Sequence, residues 1–193
     1  EADGIPSTLG TYDEAVRVLD ERHGRKLVRE LDVAAIEYID ALALELLPDE
    51  AFSRTGVTRP HRTATALLVQ LEIPASEDAT LRCLARVLNE CGVEDDPYLA
   101  PPDDERGARR LFELREAVPS AINGLVAAAK ATVDADIQKT AGDLIVPVER
   151  LADSIALYRN SFERRGLDYA IWGHVSDGNL HPNIVPLHAF GEV

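Results

Sequence analysis

The sequence predicts an α+β fold, a mostly antiparallel sheet covered by helices. Three observations lead there. Helix-like and strand-like segments alternate along 193 residues, enough chain to bury one sizeable core. Val148, Leu151, Ile155, Tyr158 and Phe162 recur at helical spacing and form one apolar face. Tyr169–Ile184 reads as two short strands joined at Asp177-Gly178, a strong hairpin turn signal. The helices are expected to cover one face of the sheet.

The elements follow in order. Residues 1–10 are weakly patterned, with Gly and Pro, and read as the remnant of an upstream strand or as a linker. Tyr12 to His23 predicts a short amphipathic helix, with Thr11 at its N-cap and Gly24 at its stop. Ala35 to Asp40 is ambiguous by period alone, and Asp40 is placed to cap a helix ending before Pro48. Residues 48–63 read as a loop. Ala64 to Ile73, with Leu67, Leu68, Val69 and Leu71, reads as a largely buried strand. Ser76 caps a helix running to Cys91, and Glu77 and Asp78 complement its positive end. Glu94 to Asp104 is acidic and Pro-rich, as surface loops are. Glu105 to Val118 is helical, Pro119 breaks or kinks it, and Ala121 to Ala131 resumes it. Val133 to Pro147 contains the next strand, and Gly166 ends the helix before the hairpin.

Composition excludes several classes. A net charge of −14 argues against nucleic-acid binding and against a polybasic membrane surface. No apolar run approaches the roughly 18 residues that span a bilayer. No secretory signal opens the chain, though an excised fragment would not show one. Cys83 and Cys91 lie on one predicted helix, about 12 Å apart along its axis, too far to bridge. Free thiols suit a reducing cytoplasm. No Ser-His-Asp order, phosphate-binding Walker loop or paired Cys-x-x-Cys motif is present.

The hairpin holds the most specific chemistry. Residues two apart share a strand face. One face therefore collects Trp172, His174, Ser176, Asn179, His181 and Asn183, and the other Ile171, Val175, Leu180, Pro182 and Ile184. A tight turn at Asp177-Gly178 sets His174 directly opposite His181, with Cβ atoms about 4.5–5.5 Å apart. Two imidazoles at that separation can grip one divalent cation or one anionic substrate. His23, His61 and His188 are isolated and read as surface residues.

The same residues carry a resemblance. Gly173-His-Val-Ser-Asp-Gly-Asn-Leu-His-Pro-Asn183 resembles the Gly-His-x-Gly-Asp-Gly-Asn-x-His-x-Asn signature of the FAD-linked oxidases. That family includes FAD-dependent D-lactate dehydrogenases, the glycolate oxidase flavin subunit and D-2-hydroxyglutarate dehydrogenase. Ser176 departs from it, standing where the family commonly has Gly. Leu114-Arg-Glu-Ala-Val-Pro119 resembles its Leu-Arg-Glu segment, and Asp143-Leu-Ile-Val-Pro147 its Asp-x-x-Val-Pro strand. The likeness covers roughly residues 33–186 and makes Ala35–Asp40 a strand.

The resemblance implies a ferredoxin-like cap domain, residues 1–193 being one substrate-side unit. The family's FAD-binding domain, with its Gly-rich pyrophosphate loop, and its later Glu-His-Gly segment are not found, so the chain reads as a fragment. It implies that Arg115 anchors a substrate carboxylate; the alternative is a surface helix Arg paired with a neighbouring Glu. Lys139 is implied as a second substrate contact, with its register uncertain by two positions. His174 and His181 are implied as catalytic residues and as ligands of a divalent metal, Zn or Mn, whose third ligand would lie in the absent segment. Asn183 is implied to face substrate and flavin. The expected reaction is oxidation of a D-2-hydroxy acid by FAD. The expected partners are that small acid, the FAD-binding domain and an electron acceptor. The expected location is cytoplasmic, with room for peripheral membrane contact. A different class remains open, a non-catalytic metal- or ligand-binding α+β module built on the same hairpin.

Overall fold

The computed structural model describes residues 3–11, 31–60, 64–73, 76–93 and 97–187, the first of these by its backbone alone. The helix expected at Tyr12–His23 and the three isolated histidines His23, His61 and His188 lie outside the described residues. In chain order the elements are β1 (Asp3–Thr11), β2 (Asp32–Ile39), α1 (Ala41–Glu45), α2 (Asp49–Thr55), β3 (Ala64–Glu72), α3 (Glu77–Cys91), α4 (Glu105–Thr132), β4 (Thr140–Ala141), β5 (Leu144–Ile145), α5 (Leu151–Glu163), β6 (Tyr169–His174) and β7 (Asn179–Ile184).

The strands form one sheet in the order β1-β3-β2-β6-β7-β4, and β5 also pairs with β7. Every described pairing is antiparallel. Alternation along the strands separates two apolar layers. Ile36, Tyr38, Leu67, Val69, Leu71, Ile171 and Leu180 share one core with Leu84, Val87 and Cys91 of α3 and Leu151 and Ile155 of α5. Ile39, Ala66, Leu68, Ala170 and Trp172 share the other with α1, α2 and the Leu111, Leu114, Val118 and Ile122 stripe of α4. Helices therefore cover both faces of the sheet, not the one face expected. Strands β3 and β6 are apolar at successive positions, the pattern of a strand buried on both sides.

Local signals explain the boundaries. Asp40 caps α1 by accepting the Ala43 amide at 2.7 Å, and Ser76 caps α3 through the Ala79 amide. Gly92 ends α3 in the left-handed conformation. Helix α4 runs through Pro119 without a break, so of the expected break or kink the break is absent. The expected loop at 48–63 contains α2 instead. Pro48 follows the end of α1, as expected, and also stands at the N-cap of α2; Asp49 and Glu50 fill the first turn of α2, and Ala51 and Phe52 bury its apolar side. Residues 1–10 lie largely within β1, and the strand expected in Val133–Pro147 is two short pieces, β4 and β5.

The hairpin has a different register from the tight turn expected. His174 pairs with Asn179, and Trp172 pairs with His181. Val175, only 2 % exposed, is drawn into the core, so pairing stops at His174. A 3-10 turn over Val175–Asp177 and Gly178 in the left-handed conformation close the loop. The register shift is two residues, which preserves the face of every side chain. His174 and His181 remain on one face as diagonal neighbours, not as a directly opposed pair.

Two predictions follow from this architecture. Gly178 has φ +72°, and a Cβ there would collide with the Val146 carbonyl oxygen, whereas Gly166 has φ +61° and open space around it. Gly178→Ala should therefore destabilise the chain by roughly 1–3 kcal/mol more than Gly166→Ala. Denaturant unfolding of the two variants checks this; equal losses would mean that the Val146 backbone yields. The second concerns Asp40, whose burial pushes its carboxyl up to about 7, against the opposing Ala43 and Ile171 amides and Arg159. Between roughly pH 4 and 7 the folded chain keeps a proton that the unfolded chain has lost. Stability then falls as pH rises through that window. Asp40→Asn cannot ionise and should lack that slope, so the two unfolding profiles should diverge by on the order of a few kcal/mol. Parallel profiles would reject the account.

Candidate functional site

Five ionisable side chains meet at the face of the sheet that α4 covers. Glu37 on β2 pairs in register with His174 on β6. Its carboxylate is buried, and its Oε1 lies 2.5 Å from His174 Nδ1. Arg115, next to Leu114 on the buried stripe of α4, donates from Nε to Glu37 Oε2 at 3.2 Å. Its Nη2 lies 3.1 Å from His174 Nε2. His181 sits edge-on to His174, with ring centroids 5.6 Å apart, and tilted against Trp172. Asp143, beside β5 and well exposed, has Oδ1 3.4 Å from His181 Nδ1.

The electrostatics differ between the two imidazoles. His181 is held below the ordinary imidazole pKa chiefly by burial, with His174 and Arg115 adding to the effect and Asp143 and Glu37 opposing it. A neutral His181 whose Nδ1 faces Asp143 leaves Nε2 as a proton acceptor. His174 meets a guanidinium, which carries donors only, so its Nε2 presents a lone pair to Arg115.

The sequence-predicted residues separate into two groups. Arg115, His174 and His181 come together. Arg115 does pair with a Glu, but with Glu37 across the fold rather than with a neighbour on its own helix. Lys139 goes elsewhere, donating to Asn123 of α4 at 3.0 Å. Asn183 shares the face of the His pair but is 1 % exposed, and its amide donates to the His181 carbonyl at 2.9 Å. Its Oδ1 is buried without a partner. Glu37 and Asp143 were not expected at the site. A lone charge inside the apolar run Ala35–Ile39 was the signal for Glu37, because a buried carboxylate needs a partner.

A divalent cation does not fit the arrangement as it stands. Among the described residues no group of three or more His, Cys, Asp or Glu side chains is placed to hold a metal ion. The His174 Nε2 lone pair also faces the cationic Arg115. The pyrophosphate of a dinucleotide has no cradle among the described residues either. The described glycines of positive φ lie singly, at helix ends such as Gly56 and Gly92 or in the closing hairpin. No described helix is long and apolar enough to cross a membrane.

An antiparallel sheet between two helical layers, with two imidazoles, Arg115 and two carboxylates gathered at one face, defines an α+β domain. The chain belongs to the FAD linked oxidases, whose C-terminal domain it matches over residues 11–187. FAD is accordingly the cofactor of its family. A segment of 75 residues is 35% identical to D-2-hydroxyglutarate dehydrogenase of Escherichia coli (strain K12). That segment is 39% of this chain and 7% of the relative, so the match spans a small part of the relative's length.

Because His181 is held low, its proton is lost more readily in the folded chain. As pH falls through about 6.5 the unfolded state gains a proton first, and this group lowers stability from there downward. His181 ring resonances should titrate with a midpoint below 6.5, the ordinary imidazole value. A midpoint at or above that value would show that Asp143, not burial, dominates.

Proposed function

We propose that this chain is the substrate-side domain of an FAD-dependent dehydrogenase that oxidises a D-2-hydroxy acid, D-lactate-like, to the 2-oxo acid. The observation that carries the reading is Arg115 beside two imidazoles on one sheet face, one of them kept neutral by burial. Oxidation removes a proton from the hydroxyl and a hydride from the α-carbon; FAD, held by a separate domain, is the hydride acceptor. Arg115 binds the substrate carboxylate with donors that Glu37 and His174 leave open. His181 accepts the hydroxyl proton at Nε2, and Asp143 steadies the imidazolium that results. His174 lines the same face. Lys139 and Asn183 enter as outer contacts, with Lys139 needing to leave Asn123 and Asn183 needing to become accessible toward substrate and flavin. The domain works in the cytoplasm, with room for contact at the membrane periphery.

A second reading has its own support. Both imidazoles have a carboxylate on Nδ1, Glu37 for His174 and Asp143 for His181, the arrangement common behind metal-bound histidine. A non-catalytic metal- or ligand-binding module would use the same face, once Arg115 swung away.

Steady-state kinetics with a dye acceptor, on the flavin-loaded protein that carries this domain, separate the two readings. Arg115→Ala should raise KM by roughly 10- to 150-fold, because a charge-assisted carboxylate contact contributes about 1.5–3 kcal/mol in ground and transition states alike. His181→Ala should instead lower kcat, since proton acceptance matters most as the hydroxyl bond breaks. Metal content is measured on the same samples. Wild-type turnover in His181→Ala would reject the catalytic reading, and loss of bound metal in that variant would favour the module.

A further inference from the structure

The contacts among Glu37, His174 and Arg115 close a ring. His174 Nδ1 meets Glu37 Oε1, Glu37 Oε2 accepts from Arg115 Nε, and Arg115 Nη2 meets His174 Nε2. The donor roles have one consistent solution. Arg115 only donates, so His174 Nε2 accepts and the ring proton rests on Nδ1, where Glu37 takes it. Glu37 thus accepts from both partners at once.

A neutral amide at position 37 has no such solution. Turned one way, its NH2 faces the Arg115 donors. Turned the other, its NH2 faces the His174 Nδ1 proton. If His174 moved its proton to Nε2 to accept that NH2, the proton would then face Arg115. Every arrangement leaves donor against donor, so only an ionised carboxylate satisfies all three groups. Both ring contacts also use the Nε–Nη2 edge of Arg115, which leaves Nη1 outside the ring.

The geometry points to Glu37 as a positioning residue: it locks His174 as the Nδ1–H tautomer and turns the Nη1 side of Arg115 outward. Nothing in the ring touches substrate through Glu37 itself. Its effect on substrate rests on the reading of Arg115 as a carboxylate anchor, whereas its effect on His174 does not.

The test begins with the 193-residue chain. The nitrogen shifts of the neutral His174 ring distinguish its two tautomers. Wild type should show the Nδ1–H form, and Glu37→Gln should lose that preference while the far-ultraviolet circular dichroism stays unchanged. Should Glu37→Gln fail to fold, the wild-type tautomer decides alone. An Nε2–H ring in wild type, or an unchanged tautomer in a folded Glu37→Gln, would overturn the inference. The second arm uses the flavin-loaded protein, where Glu37→Gln should raise KM for the hydroxy acid about tenfold with kcat within a few-fold, the scale of one misaligned charge-assisted bond. A changed tautomer with no KM effect in either Glu37→Gln or Arg115→Ala would uphold Glu37 as the lock and reject the carboxylate-anchor reading.

Discussion

Strand β6 has no side free for solvent. Ala170 and Trp172 belong to the core shared with α1, α2 and α4, while Tyr169 and Ile171 belong to the core shared with α3 and α5. A strand buried on both faces admits polar side chains only near its ends, and only when each finds a partner. His174 occupies the last position of β6, where the apolar layers thin and its side chain is still 36% exposed. Glu37, its cross-strand neighbour on β2, comes just before Tyr38, which is fully buried. The site sits where double burial ends.

That position sets the energetics of the ionic groups. A buried carboxylate left alone is costly, and removing one partner of a buried ion pair typically costs about 3–5 kcal/mol. Arg115 comes from α4, so the charge on β2 is balanced only when that helix lies on the sheet. The apolar stripe of Leu111, Leu114, Val118 and Ile122 supplies the driving force for that docking. Glu37 adds little net stability by comparison, but it makes one rotation of the helix better than its neighbours. Asp40 is the contrasting case. Its second oxygen is buried without a hydrogen-bond partner, and the carboxyl responds by shifting toward its neutral form rather than by pairing.

What the sequence made legible was the set of local rules. Periodicity identified α5 and its buried stripe, capping residues identified the starts of α1 and α3, and alternation gathered His174, His181 and Asn183 on one face. These properties depend on neighbours a few residues away. Glu37 was not legible as Arg115's partner because 78 positions separate them. Asn183 was expected to face substrate and flavin, but its exposure depends on what lies above the sheet, and there it is buried. The covering of both faces was missed for the same reason: periodicity gives each helix an apolar side but does not say which side of the sheet receives it. Pro48 and Gly56 misled in another way, since the same residues that punctuate loops also bound the short helix α2.

The hairpin shows why a faulty register can still give a correct face. Pulling Val175 into the core lengthens the loop and moves the pairing by two residues, an even step, so no side chain changes sides. An odd step would have put His174 and His181 on opposite faces of the sheet, one of them on the side of Ile171 and Leu180. Helix α4 has a comparable constraint over the site. Pro119 has no N–H to donate to the Arg115 carbonyl four residues earlier, so the helix lacks one internal bond at the turn that carries the guanidinium. The apolar stripe continues through that turn at Leu114, Val118 and Ile122, each at most 2 % exposed. Packing therefore fixes the helix where hydrogen bonding is weakest, and Arg115 is aimed by the core beneath it and by the carboxylate it meets.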